Sequence, residues 1–309
     1  MDEIATQPTT HSFVYNPDEF SLDHTLASGQ AFRWKRQPDG LWIGVIGRSV
    51  IGIKQEGEIF TWWVLGDDQD EALLRDYFQL DVDTAEIVRR IEVTDPQAGE
   101  AARRWSGLRL ARQDPEENIL SFVCSTANSV PRIAYGISQF SKHYGQPLGT
   151  WQGETYYSFP GAQTLAEVDA VQLTQISGLG FRGRNLVKVA AQIVDRGPGW
   201  AMSLRDLPYE QAHAELVKLN GIGAKIADCV CLFSLDKTEA VPVDTHVWQL
   251  AKDLYFPEWE TRKSLTELGY RAVSAAFRER FGDLAGYAQN YLFYDHFSNH
   301  WGGSPLLKT

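Results

Sequence analysis

Leu219-Asn220-Gly221-Ile222-Gly223-Ala224-Lys225, followed by Val241-Pro242-Val243-Asp244-Thr245-His246, decides how this chain is read, because it places an amine and a carboxylate around a turn that a phosphate can approach. Ala212, Leu216 and Leu219 recur at helical spacing before the turn, and Ile226, Ala227, Val230 and Phe233 recur after it. The pattern predicts a helix-hairpin-helix over 209–235, with helices Tyr209 to Leu219 and Ala224 to Leu235. Gly221 and Gly223 permit positive φ and carry no side chain that would keep another backbone away. The free N–H groups opening the second helix suit a phosphate. An ordinary helical hairpin would use such a link too, so the glycines alone do not separate DNA binding from packing.

Lys225 separates them further. A cation in the first turn of a helix opposes the helix dipole, at a cost of up to about 1 kcal/mol when exposed. Two reasons fit: contact with DNA phosphate, or a site in which dipole and partial burial favour the neutral, nucleophilic amine. Asp244 lies 19 residues later, past an apolar helix, a loop and an extended run. It is a good N-cap for a helix from Thr245 to Tyr255, and a capping carboxylate held rigidly there could also face Lys225 and stabilise a developing sugar cation. Asp228, three residues after Lys225, is the rival carboxylate. It reads as an ion-pairing or capping residue, because it moves with the lysine and leaves no gap for substrate.

The run Leu219 to Trp248 resembles the 8-oxoguanine DNA glycosylase/lyases of the helix-hairpin-helix superfamily. Further matches are Ser28-Gly29-Gln30-Ala31-Phe32-Arg33-Trp34, Gln113-Asp114-Pro115, Gly178-Leu179-Gly180-Phe181-Arg182 and Ala288-Gln289-Asn290-Tyr291-Leu292-Phe293, in family order across most of the chain. The resemblance implies that Lys225 attacks the anomeric carbon, displaces the damaged base and holds the sugar as a Schiff base until β-elimination cuts the strand, with Asp244 as electrostatic partner. It also implies that Cys229 and Phe293 sandwich the flipped purine, that Gln289 meets its Watson–Crick edge, and that the carbonyl of Gly29 accepts the hydrogen bond marking the oxidised base. Base flipping requires groups that fill the vacated stack and grip the orphaned partner, and Asn128, Arg132, Phe181 and Arg182 are the expected suppliers, with Gly221, Gly223 and His246 on the DNA backbone. The chain departs from the family where a run of asparagines becomes Ser125-Thr126-Ala127-Asn128-Ser129, and Phe181 stands where tyrosine is common. The alternatives are a monofunctional alkylpurine glycosylase using Asp244 to activate water, and a non-catalytic DNA-binding module.

The chain has 309 residues, 43% of them apolar, enough for two or three domains. A formal charge of −11 is unusual for a DNA binder and implies a local basic face, drawn from Arg33, Arg132, Arg182, Arg184, Lys225 and His246. Acidity gathers instead at Asp67 to Asp70, Asp81, Asp83, Asp114 to Glu117 and Glu258 to Glu260. Three scattered cysteines make no disulfide framework and no four-cysteine array, so no cofactor, metal or iron–sulfur cluster is expected. No apolar run reaches membrane-spanning length. The expected partner is double-stranded DNA containing oxidised guanine, bound by a monomer in the cytoplasm with the nucleoid, or in the nucleus of a eukaryote.

The fold expected is α+β: residues 1–110 an antiparallel sheet domain with helices, residues 111–309 a helical glycosylase domain of two subdomains. Strands are predicted over Gly29 to Lys35, Leu41 to Ile46, Val50 to Lys54 and Ile59 to Val64, then sheet-covering helices over Asp70 to Phe78 and Thr84 to Ile91. Further helices are predicted over Pro115 to Ser125, Pro131 to Tyr144, Asn185 to Arg196, Lys263 to Phe281 and Asp283 to Ser298. Gln146 to Pro160 reads as a linker. Trp42, Phe60 and Trp62 alternate along strands and read as core, not as base-stacking groups.

Overall fold

Alternation of large apolar residues along 42–65 gives a sheet with two buried faces. In the computed structural model, which describes residues 9–65, 71–261 and 264–301, these residues form β3 (Trp42–Ile46), β4 (Ser49–Glu56) and β5 (Ile59–Leu65). With β1 (Thr9–Val14) and β2 (Trp34–Arg36) they make an antiparallel sheet in the order β1-β5-β4-β3-β2. Trp42 pairs with Ile53, and Ile53 with Trp62. Their side chains and Phe60 fill one face against Leu22 and Leu26 of α1 (Leu22–Ala27) and Leu74 and Tyr77 of α2 (Glu71–Tyr77). As expected, Trp42, Phe60 and Trp62 are core.

The opposite face carries Ile43, Val45, Val50 and Leu65. It is covered by a hairpin of β6 (Pro147–Trp151) and β7 (Glu154–Tyr157), which contributes Leu148, Trp151 and Tyr156. The 146–160 segment is therefore a cover for the sheet as well as a connection. Trp151 needs Gly52 beneath it, where a Cβ would lie 2.3 Å from the indole ring. Two other expectations change. Residues 29–33 are not strand, because Gly29 takes φ +85° and leaves extended geometry, and β1 adds an edge strand that the alternation downstream did not reveal. The expected helix starts at Asp70 and Lys263 lie outside the described residues.

The remaining helices are α3 (Thr84–Thr94), α4 (Pro96–Arg104), α5 (Pro115–Val123), α6 (Val130–Tyr144), α7 (Ala162–Glu167), α8 (Ala170–Ser177), α9 (Phe181–Arg196), α10 (Trp200–Ser203), α11 (Tyr209–Val217), α12 (Ala224–Ser234), α13 (Thr245–Tyr255), α14 (Glu267–Phe281) and α15 (Ala285–Trp301). Contrary to expectation α3 does not cover the sheet: Ile87 and Ile91 join the helical core with Ala98, Ala101 and Ala102 of α4. The buried face of α4 is alanine and glycine, which leaves no bulky periodic signal in the sequence. α12 is buried from Ile226 to Ser234 on every side, so only its first turn approaches the surface. That geometry sets the one polar end of an apolar helix at the site.

Asp95 locks α3 and α4 onto this core. Its side chain caps α4 through Gln97 and Ala98 N–H, accepts from Tyr255 Oη at 3.0 Å, and pairs with Arg280 at 2.7 Å. Burial works against the charge, but these hydrogen bonds together hold the carboxyl below its ordinary range. A depressed carboxyl contributes stability that is complete above the unfolded value near pH 4 and disappears as pH falls through the folded one. Asp95→Asn should therefore cost roughly 1–3 kcal/mol at neutral pH, and urea titrations should show the gap from the parent closing as pH drops below about 4.

Candidate active site

The hairpin turn uses its glycines differently from the expectation. Gly221 adopts φ +98° beside Asn185, whereas Gly223 is extended at φ −94° and caps α12 with no side-chain bond. Positive φ is thus needed once, and the second glycine serves by leaving open space next to uncapped N–H groups. Both glycines are exposed, and the turn is braced on α9 by a bond from Asn220 N–H to Gln192 Oε1 at 3.1 Å.

Lys225, the second residue of α12, is half-buried over the ring of Phe122 from α5, with Nζ 5.4 Å from the centroid. One turn along, Cys229 is 3% exposed. Burial pushes its thiol up to about 11, and the charges of Asp228 and, less, Asp244 add to this, even though Lys225 acts on it by charge and hydrogen bonding in the opposite direction. Lys225 and Cys229 therefore lie one turn apart on one face of α12.

Asp244 caps α13 as the sequence suggested. His246 N–H at 2.9 Å and Val247 N–H at 2.8 Å both donate to Oδ1, and no direct ion pair joins Asp244 to Lys225. The rival carboxylate points elsewhere. Asp228 is 1% exposed and accepts from Tyr209 Oη at 2.6 Å and from Tyr270 Oη, with His213 Nε2 at 3.8 Å. It neither caps α12 nor pairs with Lys225, and burial raises its carboxyl above the ordinary range. Tyr270 also lies 3.5 Å from Val243 N and 3.4 Å from Val241 O. The lysine helix is thereby tied to the segment that presents Asp244.

Phe293 on α15 stacks with Phe297 and meets His246 edge-on at 6.2 Å between centroids. Gln289, one turn earlier on α15, is 4% exposed. Gly29 enters from the sheet side: Phe32, three residues on, packs edge-on against Phe122 at 5.2 Å, and Phe122 lies under Lys225. A ring path thus connects the Gly29 segment to the lysine.

The four residues expected to fill the stack and grip the orphaned base divide. Phe181 opens α9 and is 56% exposed, and Arg132 is exposed on α6. Arg182 instead spends its guanidinium on the carbonyls of Thr126, Ala127 and Leu179, with its plane over the Phe181 ring. Asn128 bonds back to the Cys124 carbonyl at 3.1 Å, and Ala127 before it takes φ +47°. Here Arg182 and Asn128 shape the 124–128 turn. Arg33 is not part of a basic DNA face, because it is 9% exposed and paired with Glu117 at 3.2 Å. Much of the acidity is likewise absorbed in structure, with Asp83 and Asp114 as N-caps and Glu116 bonded to Ala162 N–H.

Sequence reading missed Phe122 and Tyr270. Both reach the site from helices distant in sequence, and nothing local distinguishes them from core residues. Among the described residues no cluster of three or more His, Cys, Asp or Glu is placed to hold a metal ion, and no helix is long and apolar enough to cross a membrane.

Cys124 and Cys231 are buried like Cys229, and burial raises Cys124 to about 12 and Cys231 well above its ordinary value. At pH 8 a thiol near 11 is about 0.1% ionised. Intact-mass measurement should find all three cysteines at least about 100-fold slower than free cysteine toward iodoacetamide in the native protein, and fully alkylated in denaturant.

Residues 12–119 match the 8-oxoguanine DNA glycosylase N-terminal domain family, and residues 120–273 match the HhH-GPD superfamily of base excision DNA repair proteins. The chain is 33% identical over 283 residues to N-glycosylase/DNA lyase OGG1 of Arabidopsis thaliana, covering 89% of this chain and 77% of that one. It is 28% identical to N-glycosylase/DNA lyase of Saccharomyces cerevisiae, covering 95% and 87%. Its fold is similar to the Clostridium acetobutylicum 8-oxoguanine glycosylase/lyase solved with double-stranded DNA containing cytosine opposite 8-oxoG, with TM-score 0.82, 31% identity, and coverage of 92% and 93%.

Proposed function

Because this chain belongs to the 8-oxoguanine DNA glycosylase/lyase family of the helix-hairpin-helix superfamily, we propose that Lys225 is its nucleophile and Asp244 the carboxylate that stabilises the reacting sugar. The protein excises 8-oxoguanine from duplex DNA and nicks the strand at the resulting abasic site, in base excision repair. The observation that carries the residue assignment is the placement of Lys225 in the one turn of α12 that approaches the surface, with the Tyr270 hydroxyl tying that helix to the 241–243 segment leading into Asp244.

In the reaction, the Lys225 nitrogen forms a bond to C1′ as the glycosidic bond breaks, and the bonding pair leaves with the base, which is then protonated. Positive charge that grows on the sugar before bond formation is complete falls in reach of Asp244. Ring opening gives the Schiff base, loss of a proton from C2′ follows, and the 3′ phosphate departs in β-elimination. Cys229, neutral at physiological pH, and Phe293 offer apolar surfaces on either side of the base; Gln289 and the Gly29 carbonyl supply its polar contacts. Gly29 comes from residues 1–110 and the others from 111–309, so both parts complete the pocket.

Phe181 is the wedge and Arg132 a contact for the strand opposite, with Asn128 and Arg182 acting on DNA through the turn they hold. The N–H groups around Gly221 and Gly223, with His246, receive backbone phosphate. The enzyme works as a monomer without an iron–sulfur cluster, wherever its host keeps its genome.

Trapping tests the assignment. Incubation with an 8-oxoguanine duplex and borohydride should give a covalent adduct in which peptide mass spectrometry finds the sugar on Lys225. Release of base without an adduct, or an adduct on another residue, would refute it.

A further inference from the structure

A base-reading carbonyl on a glycine has no side chain to hold it in place, so its aim must be set by neighbours. Gly29 lies two residues past the end of α1, at φ +85°, and among the described residues its carbonyl accepts no hydrogen bond. The next residue supplies the anchorage. The Gln30 side chain is 2% exposed, and its Nε2 lies 3.0 Å from the Thr25 carbonyl, 2.9 Å from Ser28 Oγ and 2.8 Å from the Arg109 carbonyl, three acceptors that share its two hydrogens. Its Oε1 accepts from Ala111 N–H at 2.7 Å. Ser28 Oγ in turn donates to the Thr25 carbonyl at 2.9 Å. The Gln30 carbonyl accepts from Gln113 Nε2 at 2.9 Å, and Gln113 N–H donates to Phe233 O on the lysine helix at 3.0 Å.

These bonds fix the peptide on both sides of Gly29. Thr25 and Ser28 hold the approach from α1, the 109–111 segment holds the amide beyond, and Gln113 registers the whole turn against α12. Each polar atom of the Gln30 side chain is used inside the protein, so none is left to meet substrate.

We propose that Gln30 is a positioning residue for lesion recognition, holding the Gly29 carbonyl in line with the hydrogen that distinguishes oxidised from normal guanine. The inference rests on the reading of Gly29 as the base-contacting residue. It makes lesion discrimination depend on a buried amide that never touches DNA. Because an abasic site has no base to recognise, the same protein offers an internal control in its nicking of abasic DNA.

The test compares single-turnover rates on an 8-oxoguanine·cytosine duplex and on an abasic duplex. Gln30→Met keeps the shape and removes the bonds, and is expected to lower the ratio of excision to abasic nicking by about 10- to 100-fold. Ser28→Ala, which removes one of the four side-chain partners, should lower it in the same direction by less, and carries the test if Gln30→Met does not fold. Gly29→Ala, strained at positive φ with its Cβ 3.5 Å from Val130, is measured alongside. If Gly29→Ala lowers the ratio while the Gln30 and Ser28 variants stay within about threefold of the parent, the positioning role is wrong and the Gly29 reading stands. If Gly29→Ala leaves the ratio unchanged, the Gly29 reading fails and the positioning role falls with it. Equal losses on both substrates in Gln30→Met would mark the amide as a structural plug and overturn the proposal.

Discussion

Lys225→Gln is expected to abolish base removal and strand nicking together, each by at least about 10³-fold, with duplex binding retained within a few-fold. The two activities fall together because one nitrogen both displaces the base and becomes the Schiff-base nitrogen, whereas a phosphate-binding lysine would weaken binding and leave turnover at saturating DNA nearly intact. Stability moves little. Removing a cation from the N-terminus of α12 relieves an unfavourable dipole interaction of about 0.3–1 kcal/mol, and losing the contact with Phe122 removes a comparable cation–π term of about 0.5–2 kcal/mol. The melting temperature should stay within about 4 °C of the parent, given roughly 2–4 °C per kcal/mol for a large domain. Retained nicking at preformed abasic sites by Lys225→Gln would mean that another amine performs the lyase step.

The hairpin segment was legible because its signal is local. A glycine turn, a misplaced cation and a capping aspartate lie within 24 residues, and the structure has Lys225 in the first turn of α12 and Asp244 as the cap of α13. The sheet was legible for a related reason: alternation along Trp42 to Leu65 sorts residues onto two faces that are both buried. What escaped depends on residues with no periodic mark of their own. α4 packs through alanines and a glycine whose added Cβ would meet Glu92 Cα at 2.5 Å, and the β6–β7 hairpin is recognisable only when Trp151 is seen lying on Gly52, about a hundred residues earlier. Arg33 and Asp228 show the complementary limit. The arginine looks available to DNA until its distant partner Glu117 is found, and the aspartate, read as a cap or ion-pair partner of Lys225, turns instead to the hydroxyls of Tyr209 and Tyr270.

Asp244 caps α13 and is proposed to stabilise the sugar, and two substitutions should divide these roles. Asparagine retains a side-chain oxygen for His246 and Val247 N–H, so Asp244→Asn should keep the cap and leave the melting temperature within about 1 °C. It removes the charge that faces the sugar, and excision of 8-oxoguanine should fall about 10²- to 10³-fold, the scale for losing one preorganised electrostatic group in a sheltered site. Nicking at a preformed abasic site should suffer less, because the open-chain aldehyde reaches the Schiff base without departure of a base from a cationic sugar. Asp244→Ala should show the same catalytic loss and in addition lose the cap, at about 1 kcal/mol, or about 2–4 °C for a chain of this size. Single-turnover kinetics on the two substrates, with melting curves for all three proteins, check both. If Asp244→Asn excises 8-oxoguanine at the parental rate, Asp244 is a helix cap and nothing more, and the stabilisation of the sugar cation must come from another group near Lys225. If instead excision and abasic nicking fall equally in Asp244→Asn, the carboxylate acts after the base has gone, as a proton carrier in the steps common to both substrates, and not on the breaking glycosidic bond.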